Sequence, residues 1–509
     1  MNANNTPESF EIQDLFIIGG GINGCGIAYD AAGRGLSVTL CEMGDLAEET
    51  SSYSSKLIHG GLRYLESYEF RLVHEALKER EVLLKIAPHL VHPLRIIMPH
   101  DQHHRPAWMI RTGLFIYDHL SFSQSLPKTK TLKINSNDPA EPLNSKTKLG
   151  FSYSDCTVDD ARLVLHLALG AKENNARILT HHRVEKITRG QHPTTQESCF
   201  IIDILHGHEK KQFFSKAVIN AAGPWVDEVI KNKTNFKTKH HIQQVQGSHL
   251  IIKKLYPGPM AYILQNDDKR IIFVIPYREN FTLIGTTDVP YEGDPHEVKI
   301  SQEEINYLIQ CVNLYFKKNI SPEDIIYTYA GVRPLQKLEN TPRKNPSQVT
   351  RDYIFEIDAP NQKLPMLSIF GGKITTYRKL AEHALEKLKP YFPKMGSRWT
   401  ETKPLPGGSF QDFNILVKNY LTQYPFLTHS DAYRIAYAYG TRGFDWLKNA
   451  QTKEALGLHF GHGLYEAEVK FMIQKEWAQS AQDILWRRSK FILQFSDQER
   501  KALEDYIYK

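Results

Sequence analysis

Six residues near the start of the chain, Gly19-Gly20-Gly21-Ile22-Asn23-Gly24, constrain its fold more than any other feature. They spell Gly-x-Gly-x-x-Gly directly after an apolar run, Leu15 to Ile18. Directly after them, from Ile22 to Gly35, small residues (Cys25, Ala28, Ala31, Ala32) recur at helical spacing. Leu36 to Glu42 then alternates as a strand does. Strand, glycine turn, helix and strand within about thirty residues make the β-α-β unit of a parallel sheet. Side chains at the glycines would keep a pyrophosphate from the amides and positive end of the helix. Glu42, 23 residues after Gly19, closes the second strand. A carboxylate there accepts hydrogen bonds from an adenosine ribose and repels a 2′-phosphate, so the pattern predicts a site for FAD or NAD rather than NADP.

Further along, a strand-like stretch at 216–222 ends in Gly223-Pro224-Trp225 ahead of a helical pattern from about Val226. Between the two units lie an amphipathic helix around Phe70 to Ala87 and a loop-rich stretch from Ser121 to Asn144. From Gln243 to Asp288 short β-rich runs, starting at His249, Arg270 and Phe281, predict an antiparallel sheet and a substrate domain. Leu405-Pro406-Gly407-Gly408 has the composition of a linker, and helical periods dominate after it. In one of those helices Val469, Met472, Ile473 and Trp477 share a face, with Glu468, Lys470, Gln474 and Lys475 elsewhere on the circumference. A helical cap domain is expected there.

At 509 residues the chain has room for about three domains, and 41% hydrophobic with 24% charged residues is an ordinary globular balance. A net charge of +6 is too small to argue for nucleic acid. Five cysteines, an odd number with no Cys-x-x-Cys spacing, speak against a disulfide framework and for a reducing compartment. The histidine pairs His103-His104, His181-His182 and His240-His241 are adjacent, which does not put two rings on one helix face, so no metal is expected. Residues 1–10 are polar and unlike a signal peptide, and no apolar run reaches the length of a membrane span. A place on a membrane surface stays open, since that needs only an apolar face with basic neighbours.

Three stretches carry candidate chemistry. Thr50 to Tyr64 combines small hydroxyls suited to phosphate and ribityl oxygens with Gly60-Gly61, which lets backbone approach a flat ring; His59 and Arg63 flank that approach. Phe370-Gly371-Gly372-Lys373-Ile374-Thr375-Thr376-Tyr377-Arg378 reads as a strand end opening a helix through Lys389, whose first amides could stabilise negative charge on a reduced flavin. Arg333 and Arg351 add cations with the fork geometry that suits phosphate.

These strings resemble a known family. The glycine turn, Ser54-Ser55-Lys56-Leu57-Ile58-His59-Gly60-Gly61-Leu62-Arg63-Tyr64-Leu65, the stretch from Tyr153 to Val164, Ile284-Gly285-Thr286-Thr287-Asp288, Gly331-Val332-Arg333-Pro334 and 371–378 together are similar to the FAD-dependent glycerol-3-phosphate dehydrogenases of the bacterial aerobic type. The likeness runs from about residue 12 to the C-terminal helices. It implies an α/β fold with a Rossmann-like FAD-binding domain of glutathione-reductase/D-amino-acid-oxidase type, assembled from 1–75, 150–235 and 340–395. A substrate domain would take 76–149 and 236–339, and a helical cap 396–509. It further implies oxidation of sn-glycerol 3-phosphate to dihydroxyacetone phosphate by hydride transfer from C2 to flavin N5. Electrons would go to membrane quinone from a homodimer peripheral on the cytoplasmic face of the inner membrane, against an anionic lipid surface.

The cofactor residues so implied are Gly19, Gly21, Ile22, Asn23, Gly24, Glu42, Met43, Thr50, Ser51, Ser52, Ser55, Lys56, Leu57, Gly60, Gly61, Val184, Ala222, Gly223, Trp225, Gly372, Lys373, Ile374 and Thr375. In the catalytic scheme His59 takes the C2 hydroxyl proton. Arg63, Arg333, Arg351 or Lys373 grips the phosphate, and Tyr64 and Thr287 orient the substrate oxygens. Arg333 and Lys373 could face either phosphate or the reacting oxygen. For lipid contact two segments qualify: Ile374 to Lys389, whose apolar face equally fits a helix on a core, and Trp108 to Phe122. The rival functions are a soluble oxidase making hydrogen peroxide and a non-catalytic dinucleotide-binding module; the combination of His59, Arg333 and Lys373 counts against the second.

Overall fold

In the computed structural model the described residues are 11–100, 105–120, 125–135, 138, 141–266, 268, 270–337 and 352–508. The helices that frame the site are α1 (Ile22–Gly33), α2 (Phe70–Ile86), α3 (Ala107–His119), α4 (Asp160–Glu173), α5 (Val226–Lys233), α6 (Gln302–Tyr315) and α7 (Tyr377–Leu388).

The first sheet is built around Ile12–Ile18, whose Leu15, Phe16 and Ile17 are fully buried, as a strand covered on both faces requires. Val38–Cys41 pairs with it in parallel on one side and Glu209–Asn220 on the other. Arg177–Leu179 and Met366–Phe370 extend the parallel part outward. Because successive strands lie on opposite sides of Ile12–Ile18, the crevice of the sheet opens at that strand's C-terminal end, where the glycine turn sits. α1 packs against α4 and α7. The approach is close because a Cβ on Gly26 would come within 2.7 Å of the Tyr377 ring, and one on Gly170 within 2.5 Å of Tyr29.

The second sheet has ten strands, antiparallel except for one parallel contact between Val91–His100 and Ala261–Gln265. Its long pair at one edge is His241–Lys253 with Ile325–Lys337, and α6 covers one face over Leu250, Ile252, Val274 and Ile284. The strands Leu57–Ile58 and Leu149–Val158, which lie in segments expected to form the FAD-binding domain, pair within this sheet. The boundary expected between 75 and 76 falls inside α2, which is one continuous helix.

The C-terminal part is helical but for a small hairpin, His459–Gly461 with Leu464–Tyr465. Leu405 to Gly408 is a packed seam rather than a free tether. Leu405 is buried and its amide donates to Ile86 O at 2.7 Å, and a Cβ on Gly407 would meet Tyr439 O at 2.3 Å. Glu468, expected on a polar face, is fully buried, because Arg434 and the Tyr439 hydroxyl satisfy its carboxylate there. Trp477 lies just past the end of the helix Glu466–Glu476, at φ 58°.

Candidate active site

The glycine turn is held by close backbone packing. Gly19 has φ +108°, and a Cβ there would lie 2.5 Å from Ala221 O; a Cβ on Gly24 would lie 1.9 Å from Gly19 O. Gly21, by contrast, faces open space except for Ser51 Oγ, and it opens α1 with no side chain of its own; the first helix amide, Ile22 N, donates to Ser51 Oγ at 3.0 Å. The positive end of α1 is therefore directed into the cleft. Glu42 accepts the Gly20 amide at 2.6 Å and the Gly44 amide at 2.9 Å, which fixes its carboxylate at the cleft edge. Burial raises its pKa and the two amides pull the other way.

From Glu42 the cleft, about 500 Å³, runs along Gly19, Gly21, Ile22, Asn23, Met43, Thr50 and Ser51, past Val184, Ala222, Gly223 and Trp225, to Arg333, Gly372, Lys373 and Ile374. That volume is ordinary for a cofactor pocket. At the far end Asn23 donates to Gly371 O at 3.2 Å, while its own Oδ1 is buried without a partner among the described residues. Gly371 and Gly372 have φ of +89° and +114°, and a Cβ on Gly372 would sit 2.8 Å from Asn23 Nδ2. An acidic grip at one end, a helix N-terminus opened by glycine in the middle and a thin glycine wall at the other suit the ribose, pyrophosphate and flat ring of FAD.

His59 ends the strand Leu57–Ile58, its amide donating to Thr375 Oγ1 at 3.4 Å and its half-buried ring edge-on to Phe273 at 6.1 Å. The turn after it hangs on a buried network. Gly60 N donates to the Tyr117 hydroxyl at 2.8 Å, Tyr117 donates to Asp155 at 2.7 Å, and Arg80 pairs with Asp155 at 3.0 Å. A Cβ on Gly60 would meet Leu77 at 2.6 Å. Arg333 lies across the neighbouring strand, where a Cβ on Gly247 would strike it at 2.2 Å; it pairs with Asp288 and donates to Thr286 Oγ1 at 2.8 Å. The Lys373 ammonium stands 4.0 Å from the Tyr64 ring centroid, a cation–π contact.

Several residues expected in the site have side chains engaged within the protein or spent on packing. Lys56 is buried with its ammonium on Asp160 at 2.6 Å and on Ser52 O, because a buried cation needs a carboxylate. Ser52 is buried against the Glu48 and Glu49 carbonyls. Thr287 is buried, its hydroxyl donating to Glu304 and accepting from Ser248 N at 2.9 Å, which braces the sheet. Gly24 serves packing, and Leu57 is a buried strand residue. Gly61 turns the chain at φ +75° into the short helix Leu62–Ser67. Arg351 and the Arg63 side chain lie outside the described residues.

Two residues of the site went unread in the sequence. Ser55 reaches His249, 2.9 Å away, which stacks on Tyr329 and which burial, with Arg333 and Lys56 adding, keeps well below the ordinary histidine pKa. Phe273 walls His59. Both sit in alternating strands, where a site residue and a core residue look alike.

Known proteins share this architecture and sequence. Residues 14–378 match the family described as FAD dependent oxidoreductase, and 398–507 match the C-terminal domain of alpha-glycerophosphate oxidase. The fold and cleft thus define an FAD-dependent oxidoreductase, and FAD is its cofactor. The chain is 49% identical over 516 aligned positions to the glycerol-3-phosphate dehydrogenase of Pseudomonas aeruginosa, spanning 100% of this chain and 98% of that one. It is 49% identical to the aerobic glycerol-3-phosphate dehydrogenase of Escherichia coli, with 94% of each chain covered. The D-erythritol 1-phosphate dehydrogenase of Brucella abortus is 46% identical with 98% of each covered. A solved structure of the Bacillus halodurans glycerol-3-phosphate dehydrogenase complexed with FAD superimposes with TM-score 0.73 at 24% identity, covering 98% of this chain and 94% of that one. Within the FAD-dependent oxidoreductases this chain belongs to the glycerol-3-phosphate dehydrogenase family.

Proposed function

We propose that the protein oxidises sn-glycerol 3-phosphate to dihydroxyacetone phosphate and passes the electrons to a membrane quinone. The observation that carries this reading is that Arg333 and Lys373 line the cleft whose far segment also holds the His59 turn through Thr375. FAD, when bound, supplies the two-electron acceptor. His59 takes the proton of the C2 hydroxyl as the hydride leaves the same carbon, so no full alkoxide charge has to build. Arg333 and Lys373 divide the phosphate and the reacting oxygen between them, which turns tail binding into orientation at the carbon. Asp288 and Thr286 preset the Arg333 fork for that task. Tyr64, under the Lys373 ammonium, limits where that charge can move.

The quinone side of the reading has support in α3. It presents Trp108 (67% exposed), Met109 and Phe115 (62%) to solvent beside exposed Arg105 and Arg111, while its buried Tyr117 holds the Gly60 turn. Aromatic and basic residues on one exposed face suit an anionic lipid surface. No helix among the described residues is long and apolar enough to cross a membrane. The other segment considered for lipid, 374–389, is spent elsewhere. Leu380, Ala381, Ala384, Leu385 and Leu388 are buried in the core, and Arg378 is locked between Glu79 and Glu382.

A peroxide-forming oxidase is the second reading, favoured by the match of 398–507 to an oxidase C-terminal domain. Anaerobic mixing with glycerol 3-phosphate tests the proposal. The yellow cofactor bleaches, and its colour returns faster with quinone than with oxygen. Peroxide in step with substrate consumed favours the oxidase, and bleaching by erythritol 1-phosphate alone would reassign the substrate.

A further inference from the structure

We propose that the C-terminal domain braces the cofactor loop: Arg487 and Arg488, by gripping the buried carboxylate of Asp45, position residues 42–55 for FAD. Between Glu42 and Lys56 the chain has one short 3₁₀ turn, Thr50–Ser52. Yet it supplies a whole wall of the cleft, from Glu42 and Met43 through Ser51 to Ser54. On its inner side the loop is tied by Ala47 N to Gly20 O at 3.1 Å and by Ser51 Oγ to Ile22 N at 3.0 Å.

Its outer side is held from 442 residues further along. Arg487 Nε donates to Asp45 Oδ2 at 2.5 Å, Arg488 Nη1 bonds the same oxygen, and Arg488 Nη2 donates to Oδ1 at 2.7 Å; all three side chains are buried. The turn that carries them, Asp483–Arg488, is π-helical, and Arg488 also donates to Glu476 O at 2.6 Å. Trp486 of the same turn lies 5.5 Å from the Lys56 ammonium, so this element reaches both ends of the loop.

Arg487 also pairs with the buried Asp483, so two guanidiniums face two carboxylates, and loss of Arg488 leaves an unmatched negative charge in a medium that cannot solvate it. Asp45 can regain water only by moving out with its loop, and that motion opens the wall carrying Glu42 and Ser51. The cost therefore falls on FAD affinity, not on the substrate pocket. By linkage the coupling is reciprocal: bound FAD tightens the docking of the C-terminal turn.

The test is reconstitution of stripped protein with FAD, followed by flavin fluorescence. Arg488→Met raises the FAD Kd at least tenfold while leaving KM for glycerol 3-phosphate at saturating FAD unchanged, and Arg488→Lys recovers most of the loss. Arg434→Met, which breaks a comparable ion pair with Glu468 inside the C-terminal domain, leaves the FAD Kd at the wild-type value. An Arg488→Met Kd within twofold of wild type, or an equal rise in Arg434→Met, overturns the proposal. Should Arg488→Met not fold, hydrogen exchange of the wild type decides. Amides of 483–493 exchange more slowly with FAD than without it, and equal rates overturn the proposal.

Discussion

Lowering the pH from 7.5 to 5.5 will loosen the seam between the first domain and the C-terminal helices, by an amount the structure sets. His89 and His166 are fully buried there, ring centroids 4.8 Å apart, beside Phe410 and the Gly407 turn. His166 donates from Nδ1 to Arg162 O at 2.7 Å, whereas neither nitrogen of His89 has a partner among the described residues. Burial holds both rings far below the ordinary pKa, and the nearby Arg162 guanidinium pushes the same way. In the unfolded chain they titrate near 6.5, so below that pH the unfolded state takes up protons that the folded state refuses. Their contribution is complete above about pH 6.5 and is lost as pH falls below it. Between pH 7.5 and 5.5 each ring forfeits about 1.4 kcal/mol, and the pair about 2.7 kcal/mol. With roughly 2.1 cal/mol/K of unfolding entropy per residue, that lowers Tm by about 2–3 °C. Thermal melts of the wild type and of His89→Leu/His166→Leu at both pH values measure it. Other titrating groups are common to both proteins and cancel, so the double variant's acid-induced drop is smaller by this amount. Equal drops would refute the reasoning.

His59→Asn lowers kcat by about 10²–10⁴-fold with the visible flavin spectrum retained; full turnover on glycerol 3-phosphate would remove His59 as the base. Glu79→Gln leaves the buried Arg378 fork short of a charge, both side chains being at most 2% exposed. It costs about 3–5 kcal/mol by urea denaturation, and a loss under about 1 kcal/mol would contradict a dry pair. Gly24→Ala forces a methyl to 1.9 Å from Gly19 O, so the variant is recovered without bound FAD or not at all; a yellow, stable preparation would show that the turn can shift. Trp108→Ser combined with Phe115→Ser abolishes co-sedimentation with anionic liposomes, and undiminished sedimentation would move lipid contact away from α3.

How far the sequence could be read depended on the range of the forces involved. The glycine turn, α1 and Glu42 were legible because each is dictated by neighbours within about twenty-five residues: no side chain fits at Gly19 or Gly24, and a strand end presents Glu42 to the turn. The same locality made the Gly371-Gly372-Lys373 segment recognisable. Lys56 read as a cofactor residue by its place in a hydroxyl-rich run, but its ammonium went to Asp160, which no local pattern announces. Glu468 read as lying off its helix's apolar face and is buried for the same reason, matched by an ion partner from another helix.

The chain's local pattern thus determined a dinucleotide cradle, an antiparallel partner sheet and a helical end, since steric exclusion and period-2 or period-3.6 burial act over a few residues. Only the tertiary structure decided which charges are buried together, that His249 stands against Ser55 and Phe273 against His59, that the Leu405 segment is packed, and that α3 is left apolar toward solvent. Those outcomes depend on pairing across hundreds of residues, where a charge is stable only if a distant partner arrives to neutralise it.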